Sequence, residues 1–497
     1  MSALGVPPGT QPVPPSGDGQ RPEIPLWLLF VAVGMAIALA VTAWLMLVED
    51  GPAVASYPAH WDARVEPYAK IAEKERGLPF KHPVDVRFLA AAEFEKTVAE
   101  DKKELNEDER TDLRHFAGLM RAFGLMTGNV DLFAAFNTAS VSGTLAYYSF
   151  KDEDITIRGS RLTAASRSTL VHELTHALQD QYFDVGDRLE KLGKDSAGGW
   201  STPEYSVLDA VIEGDAERAE GLYRESLSVK KRRALDAGRN GELSRADKVL
   251  KRVPKVVVTM MTAPYILGVG LTQAVAAGGG NTDVDELFRH PPTHETALLD
   301  PFEVLAGHTA ADKLEPPEVR PGEKKFDSGE LGVLTWYLML VERLPLRDAL
   351  AAADGWGGDA YVAYERDGDS CARTAFRGRT RRDGEQMFRA MRRWVAAAPG
   401  APASVRRTGT TVRFESCDPG PAANIGKDAS QDAVDLVATR TGIGLGLLDS
   451  GAPEATAHCL SGRVVRAFRV SQLTDPEFGA KDPAVRARIQ RLAAGCR

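Results

Sequence analysis

The chain has 497 residues, 43% of them hydrophobic and 26% charged, and a formal net charge of −8 at pH 7. That is enough apolar material for two or three packed units. The mild acidic excess argues against a nucleic-acid partner, which calls for a concentrated basic face.

The first 25 residues carry seven prolines with glycine, serine and glutamine, and read as a disordered, Pro-rich cytoplasmic tail. Leu26 to Val48 follows with no charged residue. At about 1.5 Å per residue it spans roughly 35 Å, which predicts a transmembrane helix. Trp27 and Trp44 fall near its ends, where amphipathic rings favour the interface. A cleaved signal peptide is the competing reading, with Ala53-Val54-Ala55 as its cleavage site, but the apolar run is long for one. Arg21 before the span and Glu49 and Asp50 after it point the N-terminus to the cytoplasm.

Helices are expected over 57–76 and 104–123, where apolar residues recur at helical spacing. TLAYYSFKDEDITI, Thr144 to Ile157, reads as a hairpin around the polar turn Lys151 to Asp154. Helices follow over 163–182 and from Pro203 to beyond Leu227. The chain from Pro264 onward reads as helix then loop, and Leu331 to Leu344 as a further apolar helix. Gly355-Trp356-Gly357-Gly358 marks a break into a smaller unit. There, strands at Tyr361–Glu365 and Thr411–Phe414 alternate with a helix at Glu385–Ala398. The fold class is therefore α+β, with one domain over 57–350 and a cysteine-bearing one over 355–497. Two basic runs, Lys230–Lys255 and Arg377–Arg393, interleave acidic residues and read as solvated helix faces.

Cys371, Cys417, Cys459 and Cys496 are widely spaced, with no CxxC pair. That pattern suits two disulfides in an oxidising compartment, paired sequentially, and places the bulk of the chain outside the cell.

The helix over 163–182 contains STLVHELTHALQDQYFD. Residues four apart share a helical face, so His172 and His176 aim two imidazoles at one point, with Glu173 at the edge of that face. Two imidazoles suit Zn2+, and a catalytic zinc takes a third protein ligand. The adjacent carboxylate is then placed to act as general base. The third ligand is sought in SVLDAVIEGDAERAE, where Asp209, Glu213, Glu217 and Glu220 form an acidic stripe. Most of that stripe reads as a solvated face. Glu213 is the best-placed member, lying among apolar neighbours beside Gly214, whose missing side chain admits a second helix. Asp209, Asp215 and Glu217 are reserves. Asp215, Glu217 and Asp180 are candidates to hold the far nitrogens of the histidines. Candidate oxyanion donors are His290, His294, Tyr205 and Tyr265, with His294 favoured for its loop after a helix.

VHELTHALQDQYFD and the later VIEGDA resemble a group of neutral zinc metallopeptidases of the zincin type. The likeness extends to PYILGVGLTQAV, to PPTHETALLDP as a drifted PPxSTEQILHP, and to GWGGD, covering most of Thr144 to Asp359. It implies a mainly helical zincin-like domain with His172, His176 and Glu213 as zinc ligands and Glu173 as base. Two positions depart: His294 stands for the group's serine, and Asp300 for a histidine. The expected function is a single-pass, membrane-anchored zinc metallopeptidase acting on peptide or protein substrates outside the cytoplasm. The alternatives are a non-catalytic envelope scaffold and a cell-wall amidase using the same centre. The hairpin strand at 144–150 is a candidate edge for an extended substrate.

Overall fold

The structure is a computed structural model that describes residues 57–100, 106–194, 202–307, 311–398, 400–423, 426–473, 478 and 482–496. The tail expected at 1–25 and the membrane span expected at 26–48 lie outside them. The described chain is mixed α and β, and it divides into two compact units between Val437 and Ala438.

The larger unit contains two sheets. Strands β1 (Asp85–Leu89), β2 (Ala146–Ser149) and β3 (Asp154–Arg158) form the first, in the order β1-β3-β2. The hairpin forms as expected, with Tyr148 opposite Ile155. Strand β1 joins β3 in parallel, Val86 opposite Ile155, which no local turn signal announces. Strand β2 is thus an edge. Its Ala146 and Tyr148, with Ile155 and Ile157 of β3, pack on Leu170, Leu174 and Leu178 of the helix Ala164–Phe183, hereafter the motif helix. Ala69 and Ala72 of the helix Glu66–Arg76 complete that core.

The motif helix starts at a capping box in which Thr163 and Ser166 satisfy each other's backbone N–H groups. The acidic helix, Pro203–Ser226, starts from Thr202 as cap with proline in its first turn. It stops one residue short of Leu227, and the basic run forms a separate helix, Val229–Leu250. The next helix, Lys255–Gly279, begins nine residues before Pro264 and carries that proline in its interior. Among the described residues it is the one helix long and apolar enough to cross a membrane, yet 72% of its apolar window is buried inside the protein. That is the environment of a core helix.

The second sheet has the order β4-β5-β6-β8-β7 and is antiparallel throughout. Its strands are β4 (Lys324–Gly329), β5 (Trp356–Arg366), β6 (Asp369–Gly378), β7 (Ala403–Thr408) and β8 (Thr411–Cys417). Strand β4 explains why no boundary forms near residue 350. It precedes that point in sequence but pairs with β5, so one sheet draws strands from both sides of it. The glycine cluster likewise opens β5 rather than breaking the chain, with a bulge between Trp356 and Asp359. Cys371 and Cys417 face each other across β6 and β8 as a disulfide. In the smaller unit Cys459 pairs with Cys496, closing a cluster of Leu460, Val464 and Phe468. Both pairings are the sequential ones expected.

Buried acids stabilise the start of the helix Gly332–Val341. Glu295 accepts from Leu334 N at 2.9 Å, and Asp359 accepts from Leu331 N and Trp356 Nε1, each at 2.7 Å. Burial pushes Glu295 up to about 8 and Asp359 up to about 7. Free carboxyls titrate near 4. The folded state therefore holds protons the unfolded chain has lost, and stability declines as pH rises from about 4 through 7 and 8. Urea unfolding at pH 5, 6.5 and 8 should show this decline, with a shallower slope for Glu295→Gln. Parallel slopes in the two proteins would contradict it.

Candidate metal centre

His172 and His176 lie one turn apart on the motif helix, both fully buried, with ring centroids 4.6 Å apart. The acidic helix brings Glu213 to them. Glu213 Oε2 is 3.2 Å from His172 Nε2 and 3.6 Å from His176 Nε2. The three ligand atoms lie within 4.8 Å of one another.

A close helix crossing fixes that approach. A Cβ on Gly214 would collide with the backbone of Gly268, and one on Gly268 with the carbonyl of Ala210. The helix Lys255–Gly279 therefore lies directly against the acidic helix, as the glycine beside Glu213 suggested. Tyr265, one turn before Gly268, stacks parallel to His172 at 6.2 Å. Its buried hydroxyl has no hydrogen-bond partner among the described residues.

The donor set fits a divalent cation. His176 Nε2 and Glu213 Oε1 are buried without hydrogen-bond partners, as are Glu173 Oε1 and both oxygens of Glu217. Such orphaned atoms are costly unless something meets them. The far nitrogen of His176 is held as a ligand imidazole requires, whereas His172 Nδ1 has carboxylates near it but no hydrogen-bond partner among the described residues. His176 Nδ1 meets Gln179 Oε1 at 2.9 Å, leaving Nε2 free to bind. His172 Nδ1 faces Glu220 Oε2 at 3.5 Å and Glu217 Oε1 at 3.9 Å.

Electrostatics agree. Burial opposes charge on His172, but the carboxylates of Glu213, Glu173 and Glu217 outweigh it and raise its pKa. Burial likewise works against Glu213, and the two imidazoles outweigh it and hold the carboxyl below its usual range. Burial raises Glu173, opposed by the same imidazoles. The imidazole of His172 and the Glu213 carboxylate thus stabilise each other's charged forms. Glu173 Oε2 accepts from the backbone N–H of Tyr148, which fixes the carboxylate against edge strand β2.

The other expected residues are distributed differently. The Nδ1 atom of His294 meets Glu330 at 3.3 Å and its ring packs on Trp356. Among the described residues it makes no hydrogen bond or ion pair with the cluster, because its loop is drawn toward the five-stranded sheet. His290 is exposed beside Glu286. Tyr205 is largely buried near Asp209 and Glu213, whose charges add to burial in raising its pKa. Asp180 accepts from Tyr148 OH and Gly186 N rather than from a histidine. Asp215 stands one step back, accepting from Gln179 Nε2. The solvated-face reading of the rest of the acidic stripe fails at Glu217 and Glu220, both buried. Gln179 and Glu220 were missed, although each shares a helical face with a named ligand, three residues from His176 and seven from Glu213.

Residues 320–441 match one described family, a domain of unknown function (DUF8575). That stretch contains none of the centre's residues. No curated protein and no solved structure matches the chain.

Glu213→Ala should reduce bound zinc from about one per chain to a small fraction in folded protein. Unchanged zinc would transfer the third position to another acid. Gly214→Ala should lower stability by about 1–3 kcal/mol or more, since neither backbone can yield, and should weaken zinc binding by displacing Glu213. Equal stability in chemical denaturation would refute the crossing argument.

Proposed function

We propose that the protein is a zinc metallopeptidase hydrolysing peptide bonds in a peptide or protein substrate. The observation that carries this reading is the convergence of His172 Nε2, His176 Nε2 and Glu213 Oε2 beside a buried, half-satisfied Glu173. Zinc, when bound there, polarises a carbonyl and makes water a competent nucleophile near neutral pH. The remaining work falls to the chain's own residues.

Glu173 Oε1 is the free carboxylate oxygen, and it takes the proton of the attacking water. The same oxygen then delivers that proton to the leaving amine. The Tyr148 N–H keeps Oε2 occupied, so the carboxylate acts through one face. Tyr265, stacked on His172, is the proposed donor to the developing oxyanion in place of His294. Its hydroxyl remains protonated because burial, then Glu213, raises its pKa well above the ordinary value. Loss of one such donor typically costs a factor of about 100–1000 in turnover. An extended substrate would add to edge strand β2, whose neighbour on one side only is β3.

The uncharged run Leu26–Val48 and the two disulfides support an anchored protein with its centre outside the cytoplasm. One observation favours the non-catalytic scaffold instead. His172, Glu173, His176 and Glu213 are at most 3% exposed, so substrate entry requires movement.

Casein and peptide-library digestion, with purified wall fragments in parallel, separates these readings. Zinc-loaded protein should cleave peptides. Glu173→Gln should abolish cleavage with zinc unchanged, and Tyr265→Phe should lower kcat by about 100–1000-fold with zinc retained. Cleavage surviving in Glu173→Gln would refute the assignment, and folded zinc protein inert on every substrate would favour the scaffold.

A further inference from the structure

Each histidine's far nitrogen leads through buried polar groups to an arginine on a different helix. His176 Nδ1 meets Gln179 Oε1 at 2.9 Å, and Gln179 Nε2 donates to Asp215 Oδ2 at 3.1 Å. That oxygen meets Arg76 Nε at 2.6 Å, and Arg76 Nη2 reaches Asp285 at 2.8 Å. Arg76 closes the helix Glu66–Arg76, just before Gly77. On the other side, His172 Nδ1 faces Glu220 Oε2 at 3.5 Å, and Glu220 Oε1 is ion-paired with Arg239. Ser168 bridges that pair, donating to Glu220 at 2.6 Å and accepting from Arg239 at 3.3 Å.

We propose that Arg76 and Arg239 are positioning residues that orient His176 and His172 toward the metal through Gln179–Asp215 and Glu220. The proposal rests on the metal-centre reading. Neither arginine touches the ligands. Each fixes a carboxylate whose alternative orientations would free the relay.

The charges make the arrangement necessary. Glu213, Asp215, Glu217 and Glu220 are buried on one helix, with 3% exposure at most. Uncompensated, each burial costs several kcal/mol. Arg76 and Arg218 both pair with Asp215, and Arg239 pairs with Glu220. Arg76 and Arg239 thereby hold Asp215 and Glu220 as acceptors behind the rings, although Glu220 and Glu217 also form, with His172, a second group that could hold a metal. A guanidinium suits this role better than an ammonium, because its planar fork holds two acceptors at once. Arg76 is ion-paired with both Asp215 and Asp285.

Arg76 ties the helix Glu66–Arg76 to the centre.

Zinc affinity of the full-length protein, measured by competition with a chromophoric chelator, tests this without any activity assay. Arg76→Met and Arg239→Met should each weaken zinc binding about 10–100-fold, the usual cost of losing an outer partner of a ligand histidine. Arg76→Lys should recover part of the loss. The decisive comparison is a cycle with Gln179→Met. If Arg76 acts through Gln179, Arg76→Met should add little once Gln179 is gone. A purely structural arginine would cost the same in both backgrounds. Should Arg76→Met fail to fold, Arg76→Lys replaces it in the cycle. Affinities within about twofold of the parent in folded variants, or equal losses in both backgrounds, would overturn the proposal. A parent chain that binds no zinc would remove the metal centre itself.

Discussion

Burying charge without water is the constraint around which the larger unit is organised. Glu173 and the inward face of the acidic helix put five carboxyl groups into the protein interior beside two imidazoles. Moving one ion from water to a low-dielectric interior is expensive, and pairing recovers the cost only where geometry is good. Two arginines and Arg218 pair with the outer acids. In the inner group Glu213 and the imidazoles stabilise one another's charged forms. A divalent cation is the simplest species that satisfies all of its orphaned atoms together.

Packing then sets the geometry with little tolerance. The contact of Gly214 with Gly268 lets two helices approach until their backbones touch, which places Glu213 under the imidazoles and Tyr265 over His172. The three-stranded sheet covers the motif helix and supplies the Tyr148 N–H to Glu173. The motif helix, the acidic helix and the helix Lys255–Gly279 together carry the centre, so stability and site geometry are set by the same contacts.

The sequence was most legible where chemistry is local. Histidines four apart, a carboxylate between them, and a glutamate beside a glycine named the converging residues, because helical periodicity is a short-range property. Turn residues and alternation announced the β2–β3 hairpin, and cysteine spacing announced both disulfides. What was hidden depends on distant chain. The parallel pairing of β1 with β3, and the antiparallel pairing of β4 with β5 across the expected domain boundary, leave no local signature. The burial of Glu220 could not be seen without knowing that Arg239, inside a run that looks solvated, packs against it. The partners of His294 were hidden for a similar reason. Its loop is claimed by Glu330 and Trp356, residues 36 and 62 positions later.

Anomalous diffraction from crystals of the zinc-loaded protein, collected on both sides of the zinc edge, tests the central claim most directly. The account predicts one strong peak within about 2.0–2.2 Å of His172 Nε2, His176 Nε2 and a Glu213 oxygen. A zinc found elsewhere, or a centre that remains empty while the fold is intact, would contradict it.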